Sequence, residues 1–342
     1  MAPKDGKVEV RQDQLKQLRQ AELPAVLSEA QRIWTEGLQP PVIRIRRSYY
    51  RNAVMETVLD ERKPLPREKR PPSARMIAPK GLTLKLHLTL LFAAQCAAAP
   101  NKPWRDVFPI EPTAESSSSW MALVPTVAKY HGPGIQVASE VTNKRRQLTQ
   151  ALKKLEESGL VRPSAGPGRS RKGFMLLHEN AKSTAAAPIE YTVPGDADPF
   201  LAVPVELFTQ GWVHVLTTSE IAALLMWLDA LQFFGMKLDN GVIVAAVASD
   251  IRAGHYGLGR ETYETHQQLD AFGLLDVVRP WQRHADGKWF GYSDDSDLRC
   301  HRVALGPEGF NRDAADVVAK VLARRDTRGD WSREPNAPRN SF

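Results

Sequence analysis

Two stretches of this chain carry the same stop signal at a fixed distance. LKKLEESGLVRP, residues 152–163, falls in register with HQQLDAFGLLDV, residues 266–277, at an offset of 114 positions. Leu155 then meets Leu269, Gly159 meets Gly273 and Leu160 meets Leu274, and upstream Arg146 meets Arg260. A helix-periodic apolar row that ends at a glycine and resumes as an apolar pair predicts a helix, a sharp turn and a strand. Two copies at so long a period predict a duplicated folded unit rather than a solenoid.

The surroundings of each copy extend the pattern. Ahead of the first lie a predicted helix at 81–99 and a weaker one at 120–130, with Pro125 set against it. Short strands at 160–163 and 174–178 follow, around a tip rich in glycine and cations. Ahead of the second lies TTSEIAALLMWLDALQFF, where Thr217 and Glu220 form a capping box, and then a shorter helix near 242–252. Strand-like residues flank the polar tip at 281–287. The domain reading is therefore residues 1–80 as amphipathic helices (9–37, with Pro24 breaking or restarting them) followed by a basic, proline-rich, extended linker, 81–180 as a first unit, 181–199 as a linker with room for one strand at 189–193, 200–310 as a second unit, and 311–342 as one helix near 313–325 with a polar tail.

Charge separates the two units. Residues 1–180 hold 30 Lys and Arg against 17 Asp and Glu, while residues 201–310 hold 8 against 14. The basic half is a candidate polyanion binder and the acidic unit a candidate surface for another protein. Within VTNKRRQLTQALKKLEESGLV (141–161), a turn of 100° per residue puts Ala151, Leu152 and Leu155 within about 60° of Leu148. Asn143, Arg146, Gln150 and Lys153 fall on the far side. Arg can fork onto guanine, Asn and Gln can pair with adenine, and Lys neutralises phosphate.

Helix, helix, helix, strand, turn, strand, with a glycine stop after the third helix, resembles the winged-helix variant of helix-turn-helix DNA-binding proteins. The resemblance covers the two units, 81–180 and 200–310, and implies a mainly α fold with small β wings. It implies that Arg146 and Gln150 read bases, that Lys144, Arg145 and Lys153 clamp the backbone, and that Arg169, Arg171 and Lys172 at the first wing tip approach phosphate or the minor groove. In the second unit Arg260 and Gln267 occupy the corresponding face, beside Glu261 and Glu264, whose carboxylates repel phosphate. Arg279, Arg283, His284 and Lys288 would form its wing. At the level of architecture the pairing is also similar to two-domain plasmid replication initiators.

The expected function is thus a sequence-specific double-stranded DNA-binding protein, a transcriptional regulator in the first reading. The alternatives are an initiator on repeated origin sites that contacts helicase-loading machinery, and a winged-helix adaptor between proteins. Residues 9–37 or the second unit would supply any homodimer interface. There is no Walker-type loop, GxSxG, HExxH or CxxC, so neither enzyme chemistry nor a cofactor is expected. Two cysteines, Cys96 and Cys300, indicate no disulfide framework, and no apolar signal core opens the chain. A reducing cytoplasm, with the protein on nucleoid or plasmid DNA, is the expected setting. His266 replaces Leu152 on the apolar seam and reads as a buried, hydrogen-bonded histidine. His214, His255 and His301 read as isolated, and Asp294, Asp295 and Asp297 as a solvated loop.

Overall fold

The computed structural model describes residues 5–78, 81–105, 108–113, 118–126, 140–163, 174–278 and 300–328. Both wing tips, the far end of the weak helix at 120–130, the acidic cluster at 294–297 and the polar tail lie outside them.

Helices α1 (Asp5–Ala21) and α2 (Leu23–Glu36) come first. Pro24 sits in the first turn of α2, where its missing N–H costs nothing, so it restarts the helix. Strand β1 (Val42–Arg46) and the helical turns α3 (Arg47–Tyr50) and α4 (Pro72–Arg75) follow. The first repeat contributes α5 (Thr83–Ala97), α6 (Trp120–Leu123), α7 (Glu140–Glu157) and the hairpin β2 (Val161–Pro163) and β3 (Phe174–Leu176). Next come β4 (Phe200–Pro204), α8 (Glu206–Thr209) and α9 (Trp212–Val215). The second repeat holds α10 (Thr218–Phe234), β5 (Met236–Lys237), β6 (Ile243–Ala246), α11 (Ser249–Tyr256), α12 (Arg260–Tyr263), α13 (His266–Ala271), β7 (Leu275–Val278) and β8 (Arg302–Leu305). Helix α14 (Ala314–Arg328) ends the described chain. The fold is mainly helical, with small antiparallel sheets.

The shared stop signal has one geometry in both repeats. Gly159 has φ +69° and Gly273 has φ +75°, the left-handed region that favours glycine. Leu160 N donates to Leu155 O at 2.9 Å, and Leu274 N to Leu269 O at 3.0 Å. Gly159 N donates to Glu156 O, and Gly273 N to Asp270 O, both at 2.9 Å. These paired bonds satisfy the last carbonyls of each helix, and the apolar contact that accompanies such a stop joins Leu155 to Leu160 and Leu269 to Leu274, all fully buried. The capping box at the start of α10 also forms, with the Thr217 and Glu220 side chains each accepting from the other's backbone N–H.

Three expectations need correction. The stretch 38–80 is not an extended linker throughout. Ile43 and Ile45 alternate inward from β1 and are fully buried, and β1 pairs antiparallel with β4, Ile43 opposite Val203 and Ile45 opposite Leu201. The cations that made this stretch look solvated are matched by carboxylates far along the chain: Arg46 by Glu179 (2.7 Å) and Asp198 (3.0 Å), Arg51 by Asp229 (3.1 Å). Residues 181–199 are likewise anchored, by the buried Tyr191 and Val193 and by bridges from Glu190 to Leu177 and from Thr192 to Pro103. Finally, the helix expected near 242–252 is a strand, β6, followed by α11. The β-branched run Ile243, Val244 and Val247 suits a strand, and β6 lies between β5 and β8 in a sheet ordered β5-β6-β8-β7.

The third helix of the second repeat is interrupted, unlike α7. Thr265 turns both its backbone N–H and its hydroxyl onto Thr262 O, at 3.2 and 2.6 Å, which tightens the chain between α12 and α13. Buried side chains from Leu15 to Leu322 belong to one apolar cluster, so the repeats share a core.

Gly159→Ala should destabilise the fold by about 1–2 kcal/mol, because a Cβ in the left-handed region is strained. A urea unfolding midpoint compared with that of the natural chain checks this.

Candidate nucleic-acid interface

Helix α7 buries one stripe and exposes the other. Leu148, Ala151 and Leu155 are buried against α5, α6 and β2, and Leu152 is half-buried at the edge of the seam. Arg146, Gln150 and Lys153 are exposed on the opposite side. Their side chains make no hydrogen bond or ion pair among the described residues. Asn143 is half-buried and lies at the start of the same face.

The remaining two cations of the run are engaged. Lys144 is an expected backbone clamp, yet its ammonium forms an ion pair with Glu22, and both side chains are largely covered. Glu22 also accepts from Thr126 N at 3.1 Å, so Lys144 fastens α7 to the start of α2. The reason is rotation: Lys144 stands four residues before Leu148, on the flank that faces the protein. Arg145 points the other way, and its guanidinium meets Glu111 at 3.3 Å in a partly exposed pair.

Glu111 was not foreseen from sequence. It belongs to the segment ahead of α6, where no periodicity ties it to α7. With Ile110 it forms one wall of an open depression of about 480 Å³. Thr142, Arg145, Arg146, Thr149 and Gln150 form the other. The candidate reading face is therefore the rim of a concavity. Arginine and amide groups stand over it, with one carboxylate in reach.

The second repeat presents a weaker face. Arg260 and Gln267 are exposed as expected, but the Arg260 guanidinium donates to Glu264 at 2.7 Å, one turn away on the same helical segment. Its charge is thereby partly cancelled. His266 is buried, and its Nδ1 lies 2.7 Å from Tyr263 O, as the seam position implied. His301 is not isolated: its ring centroid lies 4.6 Å from that of His266 and 6.2 Å from that of Tyr263. Arg169, Arg171, Lys172, Arg279, Arg283, His284 and Lys288, the wing residues, lie outside the described residues.

Among the described residues no group of three or more His, Cys, Asp or Glu side chains is placed to hold a metal ion. Nor is any described helix long and apolar enough to cross a membrane. The arrangement on α7 can present forked donors and amides to a polar edge and the ammonium of Lys153 to an anion.

Glu22→Gln should lower stability by about 1–2 kcal/mol, because it strips a largely covered ammonium of its counter-charge. Thermal unfolding of the variant beside the double variant Glu22→Gln/Lys144→Met checks the assignment, since the double variant removes both charges and should cost less.

No protein-family model matches the chain, and no curated protein or solved structure matches it.

Proposed function

We propose that the protein is a non-enzymatic, sequence-specific double-stranded DNA-binding protein built from two winged-helix units, acting as a transcriptional regulator on nucleoid or plasmid DNA. The observation that carries this reading is the outer face of α7. Arg146, Gln150 and Lys153 stand exposed and unengaged on an 18-residue helix whose other side is locked into the core. A helix of that kind suits the major groove, where Arg forks onto guanine and Gln pairs with adenine. Arg145 and Lys153 take the phosphates at its edges, while Lys144 serves packing. The basic first half supplies the salt-dependent part of affinity.

Two further features support the fold half of the reading. Both repeats stop the third helix in the same way. In the second, a strand before that helix joins the hairpin after it, in the order β6-β8-β7. The second unit has a partly neutralised face at Arg260 and an acidic balance, which suit a homodimer or another protein better than phosphate.

An initiator on origin repeats is the second reading. The shared core favours it to this extent: two units held at one spacing suit a site with two fixed half-elements. Selection from random duplex DNA separates the cases. One enriched palindrome supports a dimeric regulator, direct repeats support the initiator, and no enrichment overturns base reading and leaves the adaptor.

Arg146→Ala and Gln150→Ala should each relax preference at one position by about 1–3 kcal/mol, read as the spread of affinities across single-base variants of the selected site. Lys153→Ala should instead weaken binding evenly across sites. The slope of log affinity against log salt should shrink by about one unit.

A further inference from the structure

Under α1 runs a cleft of about 500 Å³ that the DNA reading does not use. Its walls come from α1, the start of α5, Gln147 on the inner side of α7, the α9–α10 junction and Val318 on α14. Much of that surface is apolar, including Leu15, Leu82 and Val318.

The polar groups in the cleft are unusual in their balance. Lys85 is half-buried, and its ammonium donates to His214 O at 2.6 Å. No carboxylate among the described residues lies within ion-pair distance of it. Arg11, which lines the same cleft, is already matched, because both of its terminal nitrogens donate to Glu220, at 2.7 and 2.9 Å. His214 lines the same wall and is buried, and its Nδ1 has no hydrogen-bond partner among the described residues. Asp13, also in the lining, is exposed at the rim.

A covered ammonium without a counter-ion is costly, and so is a buried ring nitrogen without a partner. The surroundings reflect this. Burial, and then the neighbouring Arg11, push the Lys85 ammonium down to about 8. Burial, then Lys85 and Lys144, push His214 down to about 3, so its imidazole is neutral. Burial is the largest cause of both shifts, and Glu220 opposes the one on Lys85. The volume of the cleft falls in the range of small-ligand sites.

We propose that this cleft binds a small amphiphilic anion, with a carboxylate or phosphate head beside Lys85 and an apolar body along Val10 and Leu82. The head supplies a counter-charge for Lys85, and the body covers the exposed Val10 and the half-buried Leu82. Such a ligand lies between α1 and the start of α5, so it clamps them together. Any effect on DNA rests on the function proposed above. Binding itself is read without DNA, so the two readings fail separately.

The test is calorimetric titration of the full chain with octanoate, with octyl phosphate and, as the uncharged control, with 1-octanol, all below micelle formation. The expected result is saturable one-to-one binding of at least one anion and none of 1-octanol. The tighter of the two anions identifies the head group. Lys85→Met keeps the aliphatic stem and removes the charge, and it should weaken that anion at least tenfold. Gln14→Trp fills the cleft from the surface of α1 without touching the core, and it should block binding even if the lysine variant fails to fold. Absence of saturable binding by either anion overturns the proposal. So does unchanged affinity in a folded Lys85→Met protein or in Gln14→Trp, or equal binding of 1-octanol.

Discussion

The pairing of β1 with β4 is the contact on which the rest of the molecule depends. Five residues from near the start of the chain meet five from its middle, Val42 opposite Pro204 through Arg46 opposite Phe200. One face of this ladder is apolar and fully covered, with Ile43, Ile45, Leu201 and Val203 all without exposure. At its end Arg46 is buried against Glu179, which accepts from both the Arg46 backbone and its guanidinium. Removing one partner from such a pair leaves a buried charge uncompensated, at a cost of about 3–5 kcal/mol. The ladder therefore fixes where the N-terminal segment lies, and through it how the two repeats share a core.

The second half of the N-terminal anchoring is electrostatic. Helix α1 lies along α14 and reaches the second repeat: Arg11 forks onto Glu220 at the capped start of α10, and Arg19 pairs with Asp316 on α14. The Arg19 pair is exposed and contributes little. The Arg11 fork is more enclosed and joins the capping box of α10, so the same carboxylate caps a helix and holds α1. A cluster around Asp229 does similar work on the other side, collecting Tyr50, Tyr256 and Arg51. The excess positive charge of the first 180 residues is thus only partly available to a partner. Much of it is spent on carboxylates of the same chain.

Part of what stays available lies on α7. The fold turns Lys144 inward to Glu22 and leaves Arg146, Gln150 and Lys153 outward, a division that follows from helical rotation about a fixed seam. Glu111 stands across from Arg145 and tempers the face. A carboxylate in that place disfavours loose association with phosphate, and a groove that offers matched base edges can still satisfy Arg146 and Gln150. The α12–α13 segment lacks this arrangement because Glu264 takes the Arg260 guanidinium within one turn.

The sequence by itself determined the elements whose signals are local. The Leu155–Gly159–Leu160 and Leu269–Gly273–Leu274 stops, the capping box at Thr217 and Glu220, the buried seam of α7 and the buried His266 were all legible. Each depends on residues within about two helical turns and on one period of the backbone. Tertiary structure alone decided that VIRIR at 42–46 is a buried strand inside a cation-rich stretch, since its partner begins at residue 200. It also decided that 243–246 is a strand, that Glu22 claims Lys144 and Glu111 meets Arg145, and that an unmatched Lys85 lines a cleft. Those outcomes rest on groups brought together from distant parts of the chain. No spacing along the sequence encodes which carboxylate a given cation will find, because that is set only when the shared core closes around both.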